Sequence, residues 1–243
     1  MSLPRFRADL DALLQPYRFD RPPADPVPAN SLLSTGVAGL DVTIGGGWRR
    51  GQVSEVVGAS PFARMRVLTA TLAAATARGE LTAWIDTVDR GEPASMAAAG
   101  VPLSHVVWVH GRPLSAGVLA LRPRRGDPDL TQTAVQRALH ATELMAQAGR
   151  FGVVVLDLGD IPAFALRAVP TSAWVRLHRA VEGRRTALVV LGAQPITHSA
   201  SGVSVRVQSR TRGEATPPAV VPLTHQPPRR RGVDAAVRIA MAG

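Results

Sequence analysis

Short apolar runs alternate with longer helical stretches along most of the chain. Strands are predicted at the runs 52–58, 81–86, 105–110, 152–157 and 186–192. Each run is continuously or almost continuously apolar, which is typical of parallel strands covered on both faces. Helices are predicted between them, near 63–78, 92–99, 130–148 and 172–182. Strands that alternate with helices predict an α/β fold with a mostly parallel sheet and right-handed crossovers.

The N-terminal segment has a different pattern. Residues 5–19 predict an amphipathic helix, and residues 21–30 are a proline-rich linker that we do not expect to pack as a regular element. A short tethered helix cannot bury its apolar stripe alone, so it must dock on its own core or on a partner. The candidates for this docking or for self-association are Phe6, Leu10, Leu13 and Leu14.

The pattern changes again after residue 202. Val203, Val205 and Val207 alternate with polar residues, which predicts a strand with one solvent-exposed, basic face. The segment 213–243 is rich in proline and arginine, and we expect it to be partly disordered. The predicted organisation is therefore an N-terminal helix (1–20), a linker (21–30), a core (31–212) and a basic C-terminal tail (213–243).

Composition narrows the class of partner. Hydrophobic residues make up 46% of the 243 residues, enough for a large core, and cysteine is absent. The net charge is +10, and every one of the 28 basic residues is arginine. Such a balance favours nucleic acid or an acidic protein as a partner. No apolar run has the length of a membrane span or the layout of a secretory signal, so we expect a cytoplasmic protein without a membrane partner.

Residues 55–77 have the outline of a phosphate-binding loop, with an apolar strand, a glycine and a long helix. The motif is G-x-x-x-x-G-K-[ST]. Gly58 matches the first glycine, but Ala63, Arg64 and Met65 stand where the second glycine, the lysine and the hydroxyl would be. A thioether is no ligand for Mg²⁺, although an arginine can bind phosphate as a fork. The nucleotide-binding candidates are Gly58, Ala63, Arg64, Met65 and Arg66; the alternative is a structural turn followed by a helix.

Asp157 ends the apolar run "VVVLD", as in a Walker B strand that carries a carboxylate to a metal ion. Many buried strands end in aspartate, so the feature gains weight only from the loop-like segment upstream. The six histidines lack the spacing of a metal site, and we expect no metal centre of that type.

Arginines of the C-terminal third are candidates for contacts with DNA phosphates. They are Arg206, Arg210, Arg212, Arg229, Arg230 and Arg231. The alternatives are a solvated basic face and a site for an acidic partner. No recognition helix or zinc module is visible, so we do not expect sequence-specific binding.

The order of these features resembles the core of the RecA recombinase family over residues 31–212. The segments that carry the resemblance are "LLSTGVAGLDVTIGGGWRRGQVSEVVGAS", "GELTAWIDTVDRGEPASMAAAGVPLSHVVWV", "AQAGRFGVVVLDLGDI" and "RTALVVLGAQPITHSASGVSVRV". The resemblance implies a three-layer α/β/α core, and it places Gln194 before a DNA-binding loop. The position of the catalytic glutamate is Val88, so Asp89 beside it and Asp157 are the remaining catalytic candidates.

The length, the N-terminal helix and the altered loop are most similar to the ImuA family, RecA-like accessory proteins of bacterial mutagenic translesion DNA synthesis. This resemblance implies a DNA-damage (SOS) response role and two protein partners. They are ImuB, a catalytically inactive relative of Y-family polymerases, and an error-prone DnaE-type polymerase. Single-stranded DNA and a second copy of the chain are further candidate partners, with association to the nucleoid when the protein is on DNA.

Two other functions remain open from the sequence. One is a DNA-stimulated ATPase of recombinase type, in which Arg64 and Asp157 bind nucleotide and Asp89 replaces the glutamate. The other is a SulA-like inhibitor of cell division. The RecA resemblance implies ATP with Mg²⁺ as cofactor, and the altered loop predicts low affinity and weak or absent hydrolysis.

Overall fold

The computed structural model describes residues 31–124, 127, 129–197 and 202–208, and the backbone of 219–222 and 237–238. The predicted N-terminal helix and linker lie outside the described residues. The predicted site residues outside them are Phe6, Leu10, Leu13, Leu14, Arg210, Arg212, Arg229, Arg230 and Arg231.

Ten strands and seven α-helices lie in the described residues. The strands are β1 (Leu32–Leu33), β2 (Trp48–Arg49), β3 (Val53–Val57), β4 (Leu81–Asp86), β5 (Val106–His110), β6 (Phe151–Asp157), β7 (Ala187–Gly192), β8 (Ser204–Arg206), β9 (Ala219–Pro222) and β10 (Val237–Arg238). The helices are α1 (Ala38–Ile44), α2 (Pro61–Thr76), α3 (Pro93–Ala98), α4 (Ala116–Ala120), α5 (Leu130–Ala148), α6 (Ala163–Arg167) and α7 (Thr171–Val181). A short 3₁₀ helix, Leu103–His105, precedes β5.

The main sheet has the strand order β10-β9-β8-β3-β7-β6-β4-β5. Six neighbouring strands, from β8 to β5, are parallel, whereas β9 and β10 are antiparallel additions from within the predicted tail. Strands β1 and β2 form a separate antiparallel pair. The predicted α/β class is confirmed: the chain has a mostly parallel central sheet in a RecA-like three-layer α/β/α fold.

Helices cover both faces of this sheet. One apolar cluster packs α4 to α7 against the sheet, and a second packs α1 to α3 against the opposite face. Alternate residues of β4 divide between them, since Ala83 and Ile85 face the first cluster and Trp84 faces the second. Burial on both faces explains why the parallel strands are continuous apolar runs in the sequence.

Local signals set the ends of the longer helices. Ser60 caps α2 through its side chain, and Pro61 occupies the first turn, where its missing N–H costs nothing. Asp129 caps α5 by accepting a hydrogen bond from the Gln132 amide (2.8 Å). Gly149 ends α5 in the left-handed region at φ 68°.

A buried ion pair joins the starts of several strands at the amino edge of the sheet. Arg50 donates to both carboxylate oxygens of Glu80 (2.7 and 2.9 Å) and to the carbonyl of Arg185 (2.6 Å). Burial lowers the pKa of Arg50, and its hydrogen bond to Glu80 acts in the opposite direction. A side chain at Gly152 would overlap the Glu80 carboxylate, so glycine is required where β6 begins.

Among the described residues, no helix combines the length and the apolar character that crossing a membrane requires.

Candidate functional site

Several of the residues predicted to bind nucleotide or DNA lie at the carboxyl edge of the parallel sheet. In such sheets, ligands bind in the crevice outside the carboxyl ends of the strands. Gly58 follows β3, Asp157 ends β6, and Gln194 lies two residues after β7. This edge is therefore the place to test the nucleotide and DNA predictions against the geometry.

The loop after β3 is too short to surround a phosphate. Strand β3 ends at Val57 and helix α2 begins at Pro61, which leaves three loop residues, 58–60. Ala63 and Arg64, at the positions of the second glycine and the lysine, are already helical. A phosphate-binding loop needs an extended run of backbone amides that converge on the anion. Here that run is the first turn of a helix.

The amides that remain at the N-terminus of α2 are mostly engaged within the chain. Pro61 has no N–H to donate. The Ala63 amide donates to the Ser60 hydroxyl (3.3 Å), and the Arg64 amide donates to the Ser60 carbonyl (3.3 Å). A helix N-terminus attracts anions through unpaired amides, so the cap at Ser60 reduces the capacity of this end.

Packing explains why Gly58, which matches the first glycine of the motif, is a glycine. The Gly58 amide donates to the Gly192 carbonyl on β7 (3.0 Å), and a side chain at Gly58 would overlap the Val207 carbonyl beyond β8. Val207 in turn donates its amide to the Val57 carbonyl (2.7 Å). The close approach of the neighbouring strands therefore requires glycine at this position, whether or not a ligand binds.

Arg64 turns into the protein. Its side chain is almost fully buried and donates to the Gly58 carbonyl, and its second terminal nitrogen lies 3.3 Å from Asp160 Oδ1. Gly159 makes room for it, because a side chain there would overlap the guanidinium. The buried charge is thus paired and hydrogen-bonded within the chain, and it is not presented to a phosphate.

Asp160 connects this arginine to the loop after β4. Arg90 Nε lies 3.7 Å from Asp160 Oδ2, and Arg90 Nη2 donates to the Leu114 carbonyl (3.1 Å). The contacts of Arg64, Asp160 and Arg90 join the loops after β3, β6 and β4. We call these three residues the edge network.

Met65 and Arg66 lie away from the loop. Met65 is partly buried and packs with the cluster on the α1–α3 face. Arg66 lies on the surface of α2, with its guanidinium carbon 5.8 Å from the centroid of the Phe62 ring. Phe62 is 67% exposed. The structure therefore places the last two nucleotide candidates on the helix and not around an anion.

Asp157 lies beside a second carboxylate. It pairs in register with Asp86, which ends the neighbouring strand β4. Asp157 Oδ1 accepts from the Gly159 amide (2.8 Å), and Asp86 accepts from the amides of Arg90 (3.0 Å) and Gly91 (2.7 Å). Burial raises the pKa of Asp157 to about 6; the Gly159 hydrogen bond opposes this shift and the charge of Asp86 adds to it.

The position of the catalytic glutamate holds a core residue. Val88 is 5% exposed and packs in the cluster on the α4–α7 face. Asp89 adopts a left-handed backbone at φ 56°, and its Oδ1 lies 2.8 Å from His110 Nδ1 on strand β5. Its contact is with the outermost parallel strand and not with the edge network.

Aromatic stacking organises that outer strand. The Trp84 and Trp108 rings stack with centroids 4.7 Å apart, and the His110 ring stacks on Trp108 at 4.4 Å. A side chain at Gly91 would overlap both indoles. Asp89 and His110 therefore belong to a packed aromatic ladder at the end of the sheet.

Two of the predicted DNA contacts lie in the described residues. Gln194 is exposed beyond β7, and Arg206 is partly exposed at the carboxyl end of β8. Strands β7 and β8 are the two neighbours of β3, so both residues flank the loop 58–60. The predicted solvent-exposed face of β8 is only partly present, because Ser204 is buried and donates to Glu55 (2.7 Å).

Glu55 is a buried residue that the sequence did not predict for this site. It lies in the middle of β3, is 2% exposed and accepts hydrogen bonds from the segments on either side of residues 198–201. A charged residue at the centre of the apolar run "VSEVV" is the sequence signal that points to it.

The residues at this edge do not fit ATP with Mg²⁺. The loop is short, Arg64 lies in the helix with its side chain turned inward, and Met65 cannot serve as the hard oxygen ligand that the motif supplies. Among the described residues, no group of three or more histidine, aspartate or glutamate side chains is arranged to hold a metal ion.

The fold defines the class of the protein, a RecA-like α/β protein, and Arg64, at the position of the motif lysine, is bound within the chain. No protein-family model matches the sequence, and no curated protein matches it.

Proposed function

We propose that the protein is a non-catalytic, RecA-like adaptor of a bacterial mutagenic translesion DNA synthesis complex, acting in the response to DNA damage. The observation that carries the proposal is the inward position of Arg64 on Gly58 and Asp160. An arginine in that position closes the place where a recombinase of this fold grips nucleotide. The fold keeps its exposed surfaces, and an adaptor acts through surface contacts with its partners.

The resemblance to the ImuA family supplies the partners of this proposal. They are the inactive Y-family polymerase relative ImuB and an error-prone DnaE-type polymerase, in the cytoplasm and on the nucleoid. Single-stranded DNA is a further partner. The net charge of +10 supports that contact, together with the positions of Gln194 and Arg206 on the same sheet edge. The N-terminal residues Phe6, Leu10, Leu13 and Leu14 are proposed for docking or self-association.

The first test is binding of the full chain to the purified inactive polymerase relative at micromolar concentration. A complex is expected with and without ATP and Mg²⁺, because the proposed surface does not depend on nucleotide. The matched control is the Phe62→Ala variant, which removes an exposed side chain next to the network without opening it. Failure of the wild-type chain to bind would contradict the adaptor proposal.

The second test is calorimetric titration with ATP and Mg²⁺, using a recombinase with an intact G-x-x-x-x-G-K-[ST] loop as positive control. We expect no binding, or binding of low affinity only, and no phosphate release with or without single-stranded DNA. Phosphate release that disappears in both Arg64→Ala and Asp157→Ala would instead favour the DNA-stimulated ATPase. Filamentation of cells on overexpression would favour the division inhibitor.

A further inference from the structure

Glu55 is a buried acid, and it is the one charged residue of strand β3. Its neighbours along β3 include Val53, Val56 and Val57, all fully buried. Burying a carboxylate is costly unless hydrogen bonds replace the water it loses. The partners of Glu55 therefore show what this position does in the fold.

Three donors converge on Glu55, and they come from two separate places in the chain. Oε1 accepts from the amides of Ile196 and Thr197 (3.1 Å for Thr197). Oε2 accepts from the Ser204 hydroxyl (2.7 Å). Ile196 and Thr197 follow β7, and Ser204 begins β8, so one side chain holds both ends of the connection between these strands.

Neighbouring contacts fix the second end of this connection on the same strand. The Gly202 amide donates to the Val53 carbonyl (2.9 Å), and the Val203 amide donates to the Ser54 hydroxyl (3.2 Å). A side chain at Gly202 would overlap Ser54 Oγ. Strand β3 is therefore the base on which the end of the connection before β8 is built.

The two described DNA candidates lie next to these anchors. Gln194 is two residues before Ile196, and Arg206 is two residues after Ser204. Arg206 pairs in register with Val57, at the carboxyl end of β3. Each DNA candidate is thus two residues from a group that Glu55 holds by a hydrogen bond.

We propose that Glu55 is a positioning residue, which holds Gln194 and Arg206 in the arrangement that contacts the backbone of single-stranded DNA. The inference rests on the DNA contact of the proposed function. Glu55 itself is buried and does not touch the DNA. Its role is to keep the amides of Ile196 and Thr197 and the hydroxyl of Ser204 on one acceptor, so that the two DNA-facing side chains are presented together.

Two substitutions separate hydrogen bonding from charge. In Glu55→Gln, the amide oxygen can accept from both backbone amides, and the NH₂ group can donate to the Ser204 oxygen. In Glu55→Leu, a side chain of similar size leaves all three donors without their acceptor. Positioning by hydrogen bonds therefore predicts that Gln preserves the arrangement and Leu does not.

The experiment measures hydrogen exchange at the amides of Ile196 and Thr197, and the affinity for a fluorescent oligo(dT) at fixed salt by anisotropy. For Glu55→Leu, loss of one hydrogen bond per amide predicts exchange faster by about tenfold and DNA binding weaker by about tenfold. Glu55→Gln is expected to stay close to the wild type in both. If Glu55→Leu does not fold, Ser204→Ala takes its place and is expected to give a smaller change in the same direction.

The control is Glu80→Gln, which weakens the buried pair at the opposite edge of the sheet. It is expected to lower stability without changing exchange at Ile196 or Thr197 and without changing DNA affinity. Unchanged exchange and affinity in Glu55→Leu would overturn the inference. It would also be overturned if Glu80→Gln, compared at equal loss of stability, lost as much DNA affinity as Glu55→Leu. A wild-type chain that binds no oligo(dT) would instead overturn the proposed DNA contact, while the exchange data still test whether Glu55 anchors the connection.

Discussion

Arg64 Nη2 lies 3.3 Å from Asp160 Oδ1, across the gap between the loops after β3 and β6. The sequence positions of these residues suggested a different pairing, in which Arg64 and Asp157 share a nucleotide. In the structure Asp157 accepts a hydrogen bond from the Gly159 amide. Arg64 donates instead to the Gly58 carbonyl and to Asp160. The arginine at the lysine position therefore contributes to the stability of the sheet edge.

Removing the Arg64 guanidinium tests this role. We expect Arg64→Met to lower the free energy of unfolding by about 1–3 kcal/mol, because the Gly58 carbonyl and Asp160 lose their partner. Partial exposure of Asp160 keeps the cost below that of a fully buried pair. Urea denaturation gives the value. The exposed variant Arg137→Met on helix α5 serves as the control and is expected to change stability by no more than about 0.5 kcal/mol.

Restoring the motif lysine is not expected to produce tight nucleotide binding. Arg64→Lys returns one residue of the motif, but the loop still has three residues and Ser60 still caps the helix. Calorimetric titration with ATP and Mg²⁺ measures the outcome. Tight binding by Arg64→Lys would show that the arginine alone closes the site, contrary to the loop-length argument.

Breaking the Arg50–Glu80 pair is expected to cost more. Glu80→Leu leaves the buried Arg50 charge without its carboxylate, and loss of one partner of a buried pair costs about 3–5 kcal/mol. The double variant Arg50→Met/Glu80→Leu is expected to recover part of this loss, since it removes the unpaired charge. If Glu80→Leu lowers the free energy of unfolding by less than Arg64→Met does, the Arg50–Glu80 pair is not the stronger of the two pairs.

The raised pKa of Asp157 makes the free energy of unfolding depend on pH. Its folded-state pKa of about 6 lies above the ordinary value of 3.8, so folding favours the protonated form. The corresponding stability is present below about pH 4 and is lost as the pH rises through 6, by up to about 3 kcal/mol. Asp157→Asn does not ionise and keeps the acceptor for Gly159, so its stability relative to the wild type should increase from pH 4 to pH 7.

Denaturation curves at several pH values measure this difference. The exposed, non-titrating change Gln136→Ala is the control, and any effect it has should be uniform across the range. A wild-type curve that runs parallel to that of Asp157→Asn would show that the carboxyl is not buried as described.

Substitution of two glycines by alanine is expected to change stability in different ways. Gly58→Ala would force a methyl group against the Val207 carbonyl, a backbone atom that cannot move aside, and a loss of about 1–3 kcal/mol is expected. Gly117 lies in helix α4, and its nearest neighbour for an added Cβ is Ser115 Oγ at 3.8 Å. Gly117→Ala is expected to be neutral or to stabilise by up to about 1 kcal/mol. Thermal unfolding of both variants checks the contrast.

Much of the fold could be predicted from the local pattern of the sequence. The five apolar runs are the strands β3 to β7, and the four predicted helices are α2, α3, α5 and α7. A strand that is buried on both faces is a continuous apolar run, so it can be predicted without knowing which strands lie beside it. The short helices α1, α4 and α6 were missed, because five to seven residues carry little periodic signal. Helix α3 is equally short and was predicted from its place between two apolar runs.

The sequence by itself determined the α/β class, the basic charge and the loss of the lysine, glycine and hydroxyl from the loop, because each follows from composition or from residues close together in the chain. Only the tertiary structure decided what Arg64 and Glu55 do. Their partners lie far along the chain, Asp160 at 96 residues and Ser204 at 149 residues. Strand order brings these groups together, and a polar side chain that leaves water takes whichever partner that order places within reach.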